Sequence, residues 1–408
     1  MKVEALKCKG CNAEYDKAPR YVCDMCFGPL EVKYDWELIR KNTSIKKISN
    51  GPDSLWRYVD LLPLDTDYQI DLQPGFTPLI KAKNLGDFLG LDNLWIKNDS
   101  VNPTFSFKDR VVSIASNKAL EFELTTLACA STGNLAGSVA AHGAKGGLDT
   151  VVFIPKDLEK EKIISASVYG PKIVTIDGTY DDVNRFCTLL SEEKKDWAFA
   201  NVNMRPFYSE GSKTLGYEIV EQLGWDSPDH IICPGGSGSL FTKIWKGINE
   251  FKDLGFIENI KTRMHIAQAS GCSPIVNAID KENNFVEPVI PDTIAKSIAI
   301  GNPADGLNSV ELVYETNGTG TSVNDQEIIE GIELLASTEG IFTETAGGVV
   351  IASLIKLSKQ KKLESKETTV CLITGNGLKT PDVIAKNVKT IDIDTNEKNL
   401  EHLLATSN

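Results

Sequence analysis

The sequence predicts an α/β protein with two parallel-sheet domains and a small cysteine-marked N-terminal module. Three observations predict it. From Asp92 onward, strand-like apolar runs alternate with amphipathic helical runs, the pattern of parallel sheets wrapped by helices. The chain has 408 residues, more than one hydrophobic core usually serves. Four of its nine cysteines stand in two CxxC pairs near the N-terminus.

The pairs are Cys8-Lys9-Gly10-Cys11 and Cys23-Asp24-Met25-Cys26, eleven residues apart. Four thiolates at this spacing close a tetrahedral site, and soft sulfur suits zinc. Cys8, Cys11, Cys23 and Cys26 are therefore the expected ligands of a zinc ribbon over residues 1–34. Iron in a rubredoxin-like centre is compatible with the same spacing. Such a site has no open position, so it is expected to be structural. Lys41-Asn42-Thr43-Ser44 and Ser49-Asn50-Gly51-Pro52 read as a polar connector.

Leu94–Lys97, Thr125–Ala130, Thr150–Ile154, Lys172–Ile176, His230–Cys233, Met264–Ala267 and Thr369–Ile373 read as strands. Asp109–Phe122, Leu135–Ala144, Leu158–Tyr169 and Tyr180–Lys194 read as helices between them.

The net charge of −13 argues against nonspecific nucleic-acid binding, which needs basic patches. It also means that an anionic substrate must meet locally placed cations or backbone N–H groups. The longest apolar runs, such as Val151–Ile154, are strand-length, so no membrane span is expected. No apolar stretch follows the first residues, so a cytoplasmic location is expected.

Several stretches carry candidate chemistry. In Asn102-Pro103-Thr104-Phe105-Ser106-Phe107-Lys108-Asp109-Arg110, a loop after a strand delivers Lys108 to a helix start. Positive backbone charge there disfavours an ammonium and favours a nucleophilic amine. Alone, such a lysine reads as an ordinary solvated charge. Gly235-Gly236-Ser237-Gly238-Ser239 lies between a strand and a helix. Its glycines let N–H groups converge on an anion, with a helix N-terminus behind them. Ser131-Thr132-Gly133-Asn134 opens another helix, and Thr374-Gly375-Asn376-Gly377-Leu378-Lys379 follows the last strand.

In this order the motifs resemble the tryptophan-synthase β family of pyridoxal-phosphate (PLP) enzymes, also called fold type II. Within that family, the Asn102–Arg110 motif, the Arg205–Thr214 stretch and the Thr374–Lys379 end are most similar to the threonine synthases. The resemblance runs from the ribbon to about Pro381. It implies PLP in the cleft between a small inserted domain at 112–204 and a large domain built from 35–111 and 205–408. Lys108 would hold the cofactor covalently and be the catalytic base. Asn134 would bind the cofactor's phenolic oxygen, and Thr374 would meet its ring nitrogen. The loop Gly235, Gly236, Ser237, Gly238 and Ser239 would cradle its phosphate. Ser131, Thr132 and Gly133 would take the substrate carboxylate.

The implied substrate is a phosphorylated amino acid, O-phospho-L-homoserine. Arg205 and Lys213 are the first candidates for its phosphate, with Ser106 and Arg110 next. A homodimer is expected. Two other readings stay open. One is a different PLP-dependent replacement on a phosphorylated amino acid, such as a cysteate-synthase-like reaction. The other is a PLP-free zinc-ribbon interaction protein, against which the intact Lys108, glycine loop and Thr374 argue.

Overall fold

In the computed structural model, the first 34 residues form a three-stranded antiparallel sheet. Its strands are β1 (Val3–Cys8), β2 (Glu14–Tyr15) and β3 (Leu30–Tyr34), in the order β2-β1-β3. The structure describes residues 1–390 apart from Thr132, Glu159, Asn284, Lys386 and Lys389.

Charge fastens this sheet to the body. Glu31 on β3 lies 3.0 Å from Lys243 and 3.2 Å from Lys246, and Tyr34 donates its hydroxyl to Glu210 at 2.8 Å. Burial alone would raise the Glu210 carboxyl. Lys213, Lys243 and Lys246 outweigh burial and hold it well below the usual carboxylate range.

The polar stretch expected as a connector is instead short helices, Trp36–Asn42 and Ile45–Ser49, followed by a 3-10 turn at Leu55–Leu61. The reason is capping. Asp35, Ser44 and Ser54 each accept a hydrogen bond from a first-turn N–H. The apolar residues between them, including Ile39, Ile48, Trp56 and Leu61, are buried.

Two larger sheets follow. One has six strands: β4 (Leu79–Lys81), β5 (Leu94–Asn98), β10 (His230–Pro234), β11 (Arg263–Ala269), β12 (Thr319–Val323) and β13 (Thr369–Ile373). Their order is β12-β11-β10-β13-β5-β4, parallel except that β4 runs against β5. The other sheet is all parallel: β6 (Thr126–Ala130), β7 (Asp149–Pro155), β8 (Lys172–Ile176) and β9 (Trp197–Phe199), in the order β8-β7-β6-β9. The central strands β6, β10 and β13 are buried along their whole length, as parallel strands covered on both faces must be. Strand β12 reads Thr-Gly-Thr-Ser-Val, too polar to stand out as apolar alternation. Among the described residues, no helix is long and apolar enough to cross a membrane.

Both parallel sheets present their carboxyl ends to one cleft. The loops after β6, β10 and β13 and the helix starts they feed line its floor. Crevices of this kind, outside the carboxyl ends of parallel strands, are where α/β proteins bind ligands.

Candidate active site

The cleft is a cavity of about 450 Å³, within the usual range for small-molecule sites. Lys108 is the first residue of the helix Lys108–Glu121 and opens into it. The loop carrying it is docked on the Thr374–Asn376 end. Phe107 N donates to Thr374 O at 2.9 Å, and Asn376 N donates to Phe105 O at 3.1 Å. Withdrawal from water pulls the Lys108 amine down to about 8, against the opposing charge of Glu344. Burial is thus the chief cause, where the sequence pointed to the helix end. An amine with this pKa has a far larger neutral fraction near physiological pH than an ordinary lysine, and that fraction can act as nucleophile or base.

Gly236, Ser237, Gly238 and Ser239 line the cavity just before the helix Ser239–Asp253. Gly238 has φ +85°, and a Cβ there would lie 2.3 Å from Ser309 Oγ and 2.7 Å from Asp305 O. Only glycine fits. Gly235 does not line the cavity. Its N–H donates to Ala267 O at 2.7 Å, and it packs against Ile266 and Gln268.

Asn134 begins the helix Asn134–Gly146 and reaches the cavity. Its Nδ2 donates to both carboxylate oxygens of Glu344, while its buried Oδ1 has no partner. Ser131 Oγ accepts from Gly133 N at 2.9 Å and Ala136 N at 2.8 Å. It therefore caps its helix and keeps its own proton free to donate to a ligand. Gly133 has φ +124°, and a Cβ there would overlap Lys162 Cδ at 2.2 Å. Thr132 lies outside the described residues. Thr374 lines the cavity and is buried.

The predicted phosphate cations separate. Arg205 reaches the cavity, where it pairs with Asp305 at 2.6 Å. Arg110 does not. It is fully buried in an ion-pair network with Asp99 at 2.7 Å and with Glu218, which also pairs with Lys97 at 2.6 Å. Lys213 points the other way, to Glu210 at 2.7 Å and Glu250 at 3.0 Å. Ser106 is buried beneath the lysine loop, where its backbone bridges to Gly375, and is not part of the lining. Arg110 and Lys213 are consumed by the fold, because a buried charge needs partners more than an exposed one, whereas the buried Ser106 hydroxyl has no partner.

Glu344, Asn201, Tyr180, Tyr208 and Tyr21 also line the cavity, and sequence reasoning did not assign them a role. Glu344 stands at the residue before the helix Thr345–Lys359, with its carboxylate turned to Asn134 rather than to the helix N–H groups. An acidic residue before a Thr-Ala-Gly-Gly run at a helix start was the one available signal.

The residues present fit pyridoxal phosphate. A glycine-rich loop at a helix start, a buried threonine hydroxyl and a lysine of lowered pKa line one cavity. Asn134 spends its amide N–H groups on Glu344 and would have to turn to donate to a phenolate oxygen. Lys108, Asn134, Gly236–Ser239 and Thr374 would hold the group. At the N-terminus, the Sγ atoms of Cys8, Cys11, Cys23 and Cys26 all lie within 4.8 Å of one another, so this cluster could hold a metal ion.

A model of the pyridoxal-phosphate dependent enzyme family matches residues 70–375. The chain is 37% identical over 403 residues to the threonine synthase of Methanocaldococcus jannaschii, covering 98% of each chain. It is 37% identical to that of Methanosarcina acetivorans, with 93% of each covered. It is 36% identical to that of Mycobacterium tuberculosis, with 83% of this chain and 92% of the relative covered. Among solved structures, the fold is shared with diaminopropionate ammonia lyase from Escherichia coli (TM-score 0.65, 19% identity, 78% of this chain and 88% of that one). It is shared too with threonine deaminase isoform 2 from Solanum lycopersicum (TM-score 0.62, 20% identity, 94% and 97%). Family model, long-range identity and shared fold agree: the chain belongs to the threonine synthase family of pyridoxal-phosphate dependent enzymes.

Proposed function

We propose that this chain converts O-phospho-L-homoserine and water into L-threonine and phosphate; the name of its relatives, threonine synthase, supports the product. The observation that carries the reading is the single cavity in which Lys108, the Gly236–Ser239 cradle and a further cation, Arg205, face one another. With the cradle given to the cofactor phosphate, Arg205 is the first choice for a second anion, with Arg185 also on the lining.

When bound, the cofactor supplies the electron sink that acidifies Cα. Lys108 takes the Cα proton and then one from Cβ. The Cγ–O bond breaks, and phosphate leaves with the bonding pair. Cγ gains a proton and becomes a methyl group, water adds its hydroxyl at Cβ, and a proton returns to Cα. Ser131 and the helix start behind it orient the substrate carboxylate. Arg205 grips the phosphate through its fork of N–H donors, exchanging Asp305 for the dianion.

The four cysteines are read as a zinc site. Tetrahedral zinc–thiolate bonds of about 2.3 Å put sulfurs about 3.8 Å apart. Here Cys8 Sγ lies 3.4 Å from Cys26 Sγ, and Cys11 Sγ 3.5 Å from Cys23 Sγ. Gly10 N and Met25 N donate to Cys8 and Cys23 sulfur, contacts that favour thiolates.

Comparing O-phospho-L-homoserine with O-phospho-L-serine plus sulfite tests the substrate reading. Faster phosphate release from O-phospho-L-homoserine supports it, and preference for the phosphoserine–sulfite pair overturns it.

A further inference from the structure

The ribbon does more than sit beside the catalytic body. Tyr21 lines the substrate cavity together with Arg205, Tyr180 and Asn201. Only Val22 separates it from Cys23. Its neighbour Arg20 donates its backbone N–H to Asn203 O at 2.8 Å, two positions before Arg205. The Tyr21 ring packs with Tyr180 against an apolar cluster that includes Phe153, Phe199 and Val202.

The other end of this short run is braced on the thiol cluster. The Tyr15 hydroxyl lies 3.0 Å from Cys23 Sγ and accepts from Asp24 N at 3.0 Å. The Arg20 guanidinium stacks over the Tyr15 ring, 4.6 Å from its centroid. The segment from Arg20 to Cys23 thus spans from the four cysteines to the cavity wall.

We infer that Tyr21 is a specificity-determining residue on the phosphate side of the substrate site, held in place by the metal-closed knuckle at Cys23. The inference rests on reading Arg205 as the phosphate ligand. A tyrosine ring beside Arg205 narrows the cavity and keeps water from the guanidinium, which strengthens its pairing with an anion. Opening the four-thiolate site frees Cys23, and Tyr21 loses the anchor two positions away that holds one end of its segment. The rest of the ribbon stays fastened through Glu31 and Tyr34. Lys108 and the Gly236–Ser239 loop belong to other elements, so the cofactor's own contacts are untouched.

The test uses full-length holoenzyme. Tyr21→Ala should raise KM for O-phospho-L-homoserine about tenfold, with kcat within about twofold and the bound-cofactor absorbance unchanged. Tyr21→Phe should restore most of the affinity, because the ring forms the wall. Inorganic phosphate should bind the Tyr21→Ala holoenzyme about tenfold more weakly, a readout independent of turnover. Removing the metal, followed by elemental analysis, should raise KM in the wild type but add little in Tyr21→Ala, since both act on one wall. Unchanged KM and phosphate affinity in Tyr21→Ala overturn the inference. Equal effects of metal removal in both proteins overturn the link to the ribbon. If the wild type prefers another phosphorylated amino acid, the assigned reaction fails, and the same comparison on that substrate still decides Tyr21.

Discussion

Asn134 donates its amide to both carboxylate oxygens of Glu344, at 2.8 and 3.0 Å, and so joins the helix start after β6 to the helix start at Thr345. The pairing fixes the amide at the cavity floor and holds a negative charge near Lys108. Burial lowers the Lys108 pKa, and Glu344 is the largest influence opposing that.

Removing that charge should therefore lower the Lys108 pKa below its value of about 8. Covalent attachment of the cofactor needs the neutral amine, so its rate rises as pH rises through this pKa. In Glu344→Gln the midpoint should move to lower pH. Stopped-flow absorbance on mixing cofactor-free protein with pyridoxal phosphate measures it, and an unmoved midpoint means that Glu344 does not act on Lys108.

Arg205 and Arg110 should behave oppositely. Arg205→Ala should lower kcat/KM by about 1.5–3 kcal/mol through loss of a charged hydrogen bond, with thermal stability little changed. Arg110→Ala should strand the buried Asp99 and Glu218 carboxylates and cost about 3–5 kcal/mol of stability. Paired melting curves and steady-state kinetics separate the two. A soluble, normally stable Arg110→Ala with raised KM would return that residue to the substrate site.

The contrast shows how far the sequence could be read. Seven of the ten described strands in the two larger sheets and the order of the motifs were legible, because apolar alternation and glycine-rich turns are local signals. Lys108 and Arg205 do line the cavity, while their roles stay proposals. The fate of Arg110 and Lys213 was not. Glu218 is 108 positions from Arg110 and Glu250 is 37 from Lys213, and only folding brings these partners together. Tyr21 was illegible for the same reason, since it reaches the cavity from a distant segment, and Glu344 left only the faint signal of an acidic residue before a small-residue helix start. Short helices at 36–49 were hidden because Asp35 and Ser44, which cap them, look like connector residues.

Gly238→Ala should weaken cofactor binding. The new Cβ would collide with Ser309 and Asp305 at a backbone φ of +85°, displacing the N–H groups that cradle the phosphate. Relieving such strain costs about 1–3 kcal/mol, so the cofactor Kd should rise about tenfold or more. Equilibrium titration of cofactor absorbance checks this, and an unaltered Kd would place the cofactor phosphate elsewhere.

The ribbon should carry one zinc ion per chain when purified without chelator. Replacing Cys11 with serine should lower that stoichiometry and make the N-terminal segment more susceptible to proteolysis, because metal closure supplies folding energy to a sheet this small. Elemental analysis finding iron would identify a rubredoxin-like centre, and finding no metal would remove the site.

The central claim is that the cavity around Lys108 turns O-phospho-L-homoserine into threonine. The most direct measurement is parallel quantification of phosphate and L-threonine formed from that substrate by the wild type and by Lys108→Ala. Equimolar products from the wild type, and none above background from the variant, are the expected result. Phosphate released without threonine, or a Lys108→Ala protein of undiminished rate, would contradict the account.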